Sequence, residues 1–168
     1  NHLGHFLLTQ LLLEKMQSSG LSRIVTVSSR AHKRAASIDW DALCRPTSSW
    51  TGIREYAVSK LANLLFSAEL AKRLQGTSVS TYSLHPGVVD TEIWRSVPDW
   101  VRPLLRLRGF LTPEEGALTT LHCAMHAPQQ ESGLYYADSK PIQPAELGRN
   151  SELATALWER SKVWVNKA

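Results

Sequence analysis

The spacing of apolar residues changes period several times along the chain, and this alternation limits the possible folds more than any other feature. Residues 23–29 (RIVTVSS) form a short β-branched run suited to a buried parallel strand. Residues 77–84 (TSVSTYSL) and 133–137 (GLYYA) read as two further strands. Helical spacing fills the intervals. Residues 1–19 carry apolar side chains at 3, 6, 7, 11, 12 and 13 and end before Gly20, a stop signal. Residues 53–75 repeat the pattern through Leu61, Leu64, Leu65, Leu70 and Leu74. Two more helices are expected, one opening at Thr112 and one over residues 152–165. Strands alternating with helices indicate βαβ units on a parallel sheet. The expectation is one α/β domain over residues 1–168 with three strands.

Helix boundaries follow from local chemistry. Thr112-Pro113-Glu114-Glu115 combines a capping hydroxyl, a proline at the first helical position and a glutamate three residues after the cap. Asn1 is read at this level as a helix cap. Residues 30–52 break the rhythm with a basic cluster (Arg30, His32, Lys33, Arg34), then a Ser/Thr/Pro-rich piece around Pro46. This is an irregular insertion, since helix and strand signals resume after it. Its basic residues suit a solvated loop, a phosphate contact or an acidic membrane surface. Residues 97–111 (VPDWVRPLLRLRGFL) form an interrupted amphipathic piece: a lid over an apolar substrate, a membrane-surface contact or a plain surface helix.

Composition excludes several classes. A net charge of +4 without a clustered basic face argues against nucleic acid as a partner. No run reaches the roughly 18 apolar residues of a membrane span. Cys44 and Cys123 form no Cys-x-x-Cys pair, which favours a reducing compartment. His122 and His126 are spaced four apart, but Cys123 stands where a zinc motif has its glutamate, so no metal is expected.

Three features carry chemistry. In Tyr56-Ala-Val-Ser-Lys60 the phenol and the ammonium stand four residues apart on a helix, hence on one face. An adjacent cation favours the phenolate and so suits tyrosine to general acid–base work near neutral pH. The same spacing also describes a snorkelling lysine beside a surface aromatic. Ser28 and Ser29 fall at the carboxyl end of the first strand, the ligand-binding rim of open α/β sheets; a pair of serines starting a turn is the plain alternative. His85-Pro86-Gly87 forces an abrupt turn at the end of the second strand.

Together these stretches resemble the short-chain dehydrogenase/reductase family, and within it the retinol dehydrogenase branch. The resemblance rests on Asn1-His2-x-Gly4-x-Phe6-x-Leu8-Thr9, Val27-Ser28-Ser29-x-Ala31-His32, Tyr56-x-x-Ser59-Lys60-Leu61-Ala62-Asn63, His85-Pro86-Gly87-Val88-Val89-x-Thr91 and Ser132-Gly133-x-Tyr135-Tyr136. It covers essentially the whole chain. It implies a partial Rossmann-like, doubly wound parallel sheet holding the later strands of the fold. It also implies NADP or NAD as cofactor and a small lipophilic alcohol or carbonyl, such as retinol or retinal, as substrate.

By this resemblance Tyr56 is the proton donor or acceptor, and Lys60 lowers its pKa and holds the nicotinamide ribose. Ser29 binds the substrate oxygen, and Asn1 anchors a water beside the lysine. Pro86, Gly87, Val89 and Thr91 lie against the nicotinamide. The resemblance also implies a homodimer built on helices 1–19 and 53–75, and leaves the cytoplasm, the endoplasmic reticulum membrane and the mitochondrion open, with any anchor outside this chain. The family's opening T-G-x-x-x-G-x-G turn, which binds pyrophosphate at a helix N-terminus, occurs nowhere in the 168 residues. The strand at 23–29 is therefore expected to present an open edge. The competing expectation is a catalytically inactive truncated piece that binds a partner or dimerises.

Overall fold

A computed structural model describes residues 1–47, 49–89 and 111–166. Helix α1 (Leu3–Ser18) leads into strand β1 (Ser22–Val27), and after the irregular stretch come α2 (Ile53–Arg73) and β2 (Val79–His85). Helix α3 (Pro113–Met125), strands β3 (Tyr135–Ala137) and β4 (Lys140–Ile142), and helix α4 (Ser151–Val165) follow. The strands form one sheet in the order β1-β2-β3-β4. The β1–β2 and β2–β3 pairs are parallel, with Thr26 beside Ser83 and Ser83 beside Tyr135; β3–β4 is antiparallel. Alternating helices and parallel strands thus give the expected α/β fold, with β1 at one edge among the described residues.

Four details differ from the sequence reading. The sheet has a fourth strand, β4, within what reads as a Pro-containing loop. Its three residues are all exposed and include Pro141, so no apolar alternation marks them. Its pairing is set by Asp138 and Ser139, both at positive φ (52° and 58°), as a two-residue hairpin turn requires. Second, β1 stops at Val27, leaving Ser28 and Ser29 just beyond the ladder. Third, β2 runs on to His85. Fourth, the cap position of α1 is His2, with no side-chain cap bond, and the Asn1 side chain instead turns toward α2. By contrast, the α3 cap is as read: Thr112 and Glu115 form a reciprocal capping box.

Helices cover both faces of the sheet, which is why β2 is buried along its whole length. On one face, Phe6 of α1, Phe66 and Leu70 of α2, and Trp158 of α4 pack with Val79 and Ile24. Trp158 stacks on Phe66 at 5.8 Å and takes the Arg73 guanidinium over its ring at 4.5 Å. A second cluster joins Leu61 and Leu65 of α2 to Leu157 of α4. On the opposite face, Tyr82, Leu84 and Tyr136 meet Cys123 of α3. Helix α1 buries only Phe6 fully; Leu7, Leu8, Leu11 and Leu12 stay exposed. No helix among the described residues is long and apolar enough to cross a membrane.

Candidate active site

Helix α2 places the tyrosine and lysine. Its N-cap is Gly52, at φ 66°, and its first turn is fixed by the Tyr56 N–H donating to the Gly52 carbonyl. One turn on, the Lys60 ammonium lies 5.6 Å from the centre of the Tyr56 ring and donates to the Val27 carbonyl at 3.0 Å. Tyr56 is 42% exposed, so the residue lies at the surface and not in the core. Burial pushes the Lys60 ammonium below the ordinary lysine pKa.

The rim at the end of β1 is built by the two serines, and they divide the work. Ser28 is buried, and its hydroxyl donates to the Lys60 carbonyl at 2.6 Å, which locks the first turns of α2 onto the strand end. Ser29 is partly exposed; its hydroxyl accepts the Ala31 N–H at 3.2 Å and caps the short 3₁₀ turn Arg30–Arg34. Its own proton has no acceptor among the described residues. His32, in that turn, is wholly buried: Nδ1 meets the Ser29 carbonyl at 2.6 Å, and Nε2 accepts the Ala145 N–H at 3.1 Å. The basic cluster is therefore not uniformly a solvated loop, because His32 is a rivet that fixes the Ser29 backbone.

The end of β2 supplies the turn. Gly87 sits at φ 91°, and a Cβ there would collide with the Leu111 side chain, so no other residue fits without movement. Val89 pairs with Leu111 in an isolated parallel bridge, and the Leu111 N–H donates to the Val88 carbonyl at 2.8 Å. Gly116 of α3 lets Val89 approach so closely that a Cβ would collide with it. Val89 is thus held against α3, and Gly87 against Leu111, just before that helix. Thr91, and the lid candidate at 97–111 apart from Leu111, lie outside the described residues.

Asn1 donates from Nδ2 to the Ser59 hydroxyl at 3.2 Å, and Ser59 in turn donates to the Tyr56 carbonyl at 2.8 Å. Asn1 therefore reaches the tyrosine helix through Ser59. A cleft of about 1010 Å³ opens beside this contact, lined by Asn1, Asp39, Arg54, Tyr56, Ser59 and Trp164 among others. Two contributors carry no separate role in the sequence: Ser28 reads only as the first of a pair, and Asn63 only as part of a motif. Yet Asn63 is 3% exposed and donates to the same Val27 carbonyl at 3.2 Å. Its place as a polar residue within the apolar run Leu61–Phe66 is the one sequence signal it carries.

The chain is 44% identical over 168 residues to the dehydrogenase/reductase SDR family member 13 of Bos taurus, covering 96% of this chain and 44% of that protein. It is 44% identical over 164 residues to retinol dehydrogenase 11 of Mus musculus, covering 96% of this chain and 51% of that protein. The chain belongs to the short-chain dehydrogenase/reductase family. It is also 44% identical over 172 residues to retinol dehydrogenase 14 of Homo sapiens, at 98% and 50% coverage. The chain thus spans about half the length of the curated relatives it matches. No protein-family model matches it.

Solved structures agree with the family fold. One, of a putative uncharacterized protein from Mycobacterium paratuberculosis, superposes with a TM-score of 0.72 at 28% identity, covering 99% of this chain and 57% of that one. A second, of an NADPH-bound carbonyl reductase from chicken fatty liver, gives a TM-score of 0.59 at 19% identity, covering 83% and 52%. The second likeness concerns the fold alone.

Proposed function

We propose that this chain is the proton-transfer half of an NAD(P)-dependent oxidoreductase of the short-chain dehydrogenase/reductase type. Tyr56 exchanges a proton with an alcohol or carbonyl oxygen while the cofactor carries the hydride. Lys60 supplies the neighbouring positive charge and addresses the nicotinamide ribose. Ser29 offers its hydroxyl to the substrate oxygen. Pro86, Gly87, Val89 and Thr91 bound the nicotinamide, and Asn1 steadies the tyrosine helix through Ser59. The substrate is a small lipophilic alcohol or aldehyde of the retinol or retinal kind, in line with the names of its relatives.

One observation carries the reading: the Lys60 ammonium lies beside the Tyr56 ring while bonded to the last carbonyl of β1, so the phenol–ammonium pair is tied to the carboxyl rim of a parallel sheet. The fit of the residues to a nicotinamide and its substrate is favoured by Ser29, whose partly exposed hydroxyl has no acceptor for its proton among the described residues at this rim. The second reading, a piece that associates without catalysing, draws on the four exposed leucines of α1 and the open edge of β1. Substituting Tyr56→Phe in a chain joined to its Gly-rich nucleotide-binding half tests the first. Turnover of retinal with NADPH should fall by at least about a thousandfold with cofactor affinity kept; retained turnover would remove Tyr56 from its role.

A further inference from the structure

Five buried polar atoms without a hydrogen-bond partner among the described residues belong to side chains that the register assigns to the α2 face of the sheet. They are Asn63 Oδ1, Ser83 Oγ, both ring nitrogens of His85, and Tyr135 Oη. Each of these side chains is no more than 4% exposed. In native proteins such groups are rare singly, because an unmet donor or acceptor keeps its full desolvation cost. Five in one place call for a common cause.

The fold brings them together in register. Ser83 and His85 are two apart on β2 and so share a face, and Tyr135 of β3 lies beside Ser83. Two contacts calibrate α2 above that face: Ser67 meets Thr81 at 3.1 Å, and the Lys60 carbonyl accepts from Ser28, which follows the ladder opposite His85. Four helical residues advance about 6 Å and two strand residues about 6.6 Å. Asn63, one turn before Ser67, therefore stands over Ser83, two residues past Thr81. The His32 ring, packed edge-on against Tyr135 at 5.0 Å, closes the side of the group.

The unmet groups match one another chemically. The hydroxyls of Ser83 and Tyr135 are donors, and Asn63 Oδ1 is an acceptor. Burial, together with the nearby Arg30 charge, lowers the His85 pKa to about 4, so its neutral ring adds one donor and one acceptor. That makes three donors and two acceptors, with further acceptor capacity on the hydroxyl oxygens, yet none reaches another directly. A small molecule that both donates and accepts is the natural bridge, and water is the one that fits between packed side chains.

We propose that α2 and the sheet enclose an ordered-water site whose walls are Asn63, Ser83, His85 and Tyr135. The site lies directly behind Val27, whose carbonyl Asn63 shares with Lys60. Water on Asn63 Oδ1 fixes the amide so that Nδ2 faces that carbonyl. The inference stands independently of the catalytic reading.

Two measurements on the full chain test it. A crystal structure sharp enough to show ordered water should place water within hydrogen-bond distance of Asn63 Oδ1 and of a His85 nitrogen. Direct protein partners on these atoms, or a dry gap between them, would overturn the proposal. Ser83→Ala and Tyr135→Phe each delete a hydroxyl with little change of shape. Each should lower the Tm by about 2–4 °C if the hydroxyl is bound to water. An unchanged or raised Tm in both would mean that the hydroxyls are orphans and the site is empty.

Discussion

Lys60 and Asn63 converge on one acceptor: the Val27 carbonyl takes the ammonium at 3.0 Å and the amide Nδ2 at 3.2 Å. The Ser28 N–H donates to Leu84 of β2 at 2.7 Å, so the Val27 carbonyl faces the other side of β1, the sheet edge, where the described residues offer no strand partner. Together with the Ser28 bond to the Lys60 carbonyl, three links hold the first half of α2 against the strand end. The tyrosine rides on that helix. Its position therefore depends on side chains that never approach a substrate.

Replacing Asn63 by leucine tests this arrangement. The variant keeps the volume but withdraws one of two donors from the Val27 carbonyl. It should lose about 1–2 kcal/mol of stability in urea denaturation, with an unchanged m-value. A variant as stable as the parent would mean that Lys60 alone satisfies the carbonyl.

Gly87 gives a second test. Its φ of 91° excludes ordinary side chains, and Leu111 occupies the space a Cβ needs. Gly87→Ala should cost about 1–3 kcal/mol, measured by thermal or urea unfolding. Leu111→Ala in the same background should recover the steric part and leave the backbone part. Additive losses in the double variant would show that the two residues do not compete for one space.

The order of elements was legible because each helix and strand keeps its period over many residues. Tyr56 and Lys60 were legible because helix geometry alone puts them on one face. The β4 strand was not, since three exposed residues with a central proline carry no pattern, and the pairing comes from the Asp138–Ser139 turn. Nor was the division of labour between Ser28 and Ser29, which turns on where the ladder ends. Asn63 and His85 were hidden for a different reason. A polar residue inside an apolar run gains meaning only when the neighbouring strand is known, and here that strand is β2.

Histidine burial sets a pH dependence. His2 and His85 are held neutral by burial, each with a pKa lowered to about 4, and His32 is lowered in the same direction. Among the described residues, Arg30 and His32 reinforce the lowering at His85, and Asp138 opposes it. Between pH 4 and the unfolded value of 6.5, the unfolded chain binds more protons than the folded one. Stability should therefore rise with pH across that window, be fully present above it and fall away on acidification. Two such histidines set an upper bound of about 3 kcal/mol each. Thermal melts from pH 4 to 7 should show the slope, and His85→Gln should flatten it; a Tm independent of pH would remove these rings from the interior.

Nothing in the 168 residues supplies the Gly-rich turn and helix N-terminus on which pyrophosphate rests in this family. In the proposed arrangement Lys60 and the turn from Pro86 to Val89 address the nicotinamide end of the cofactor. Phosphate contacts supply much of the charge-assisted hydrogen bonding available to such a ligand. The 168-residue chain by itself should therefore bind NADPH with a Kd weaker than about 100 μM, equivalent to less than roughly 5.5 kcal/mol. Joining a nucleotide-binding half should tighten binding by at least tenfold. Isothermal calorimetry on both forms distinguishes the outcomes, and tight binding by the chain alone would mean that this half holds a phosphate site of its own.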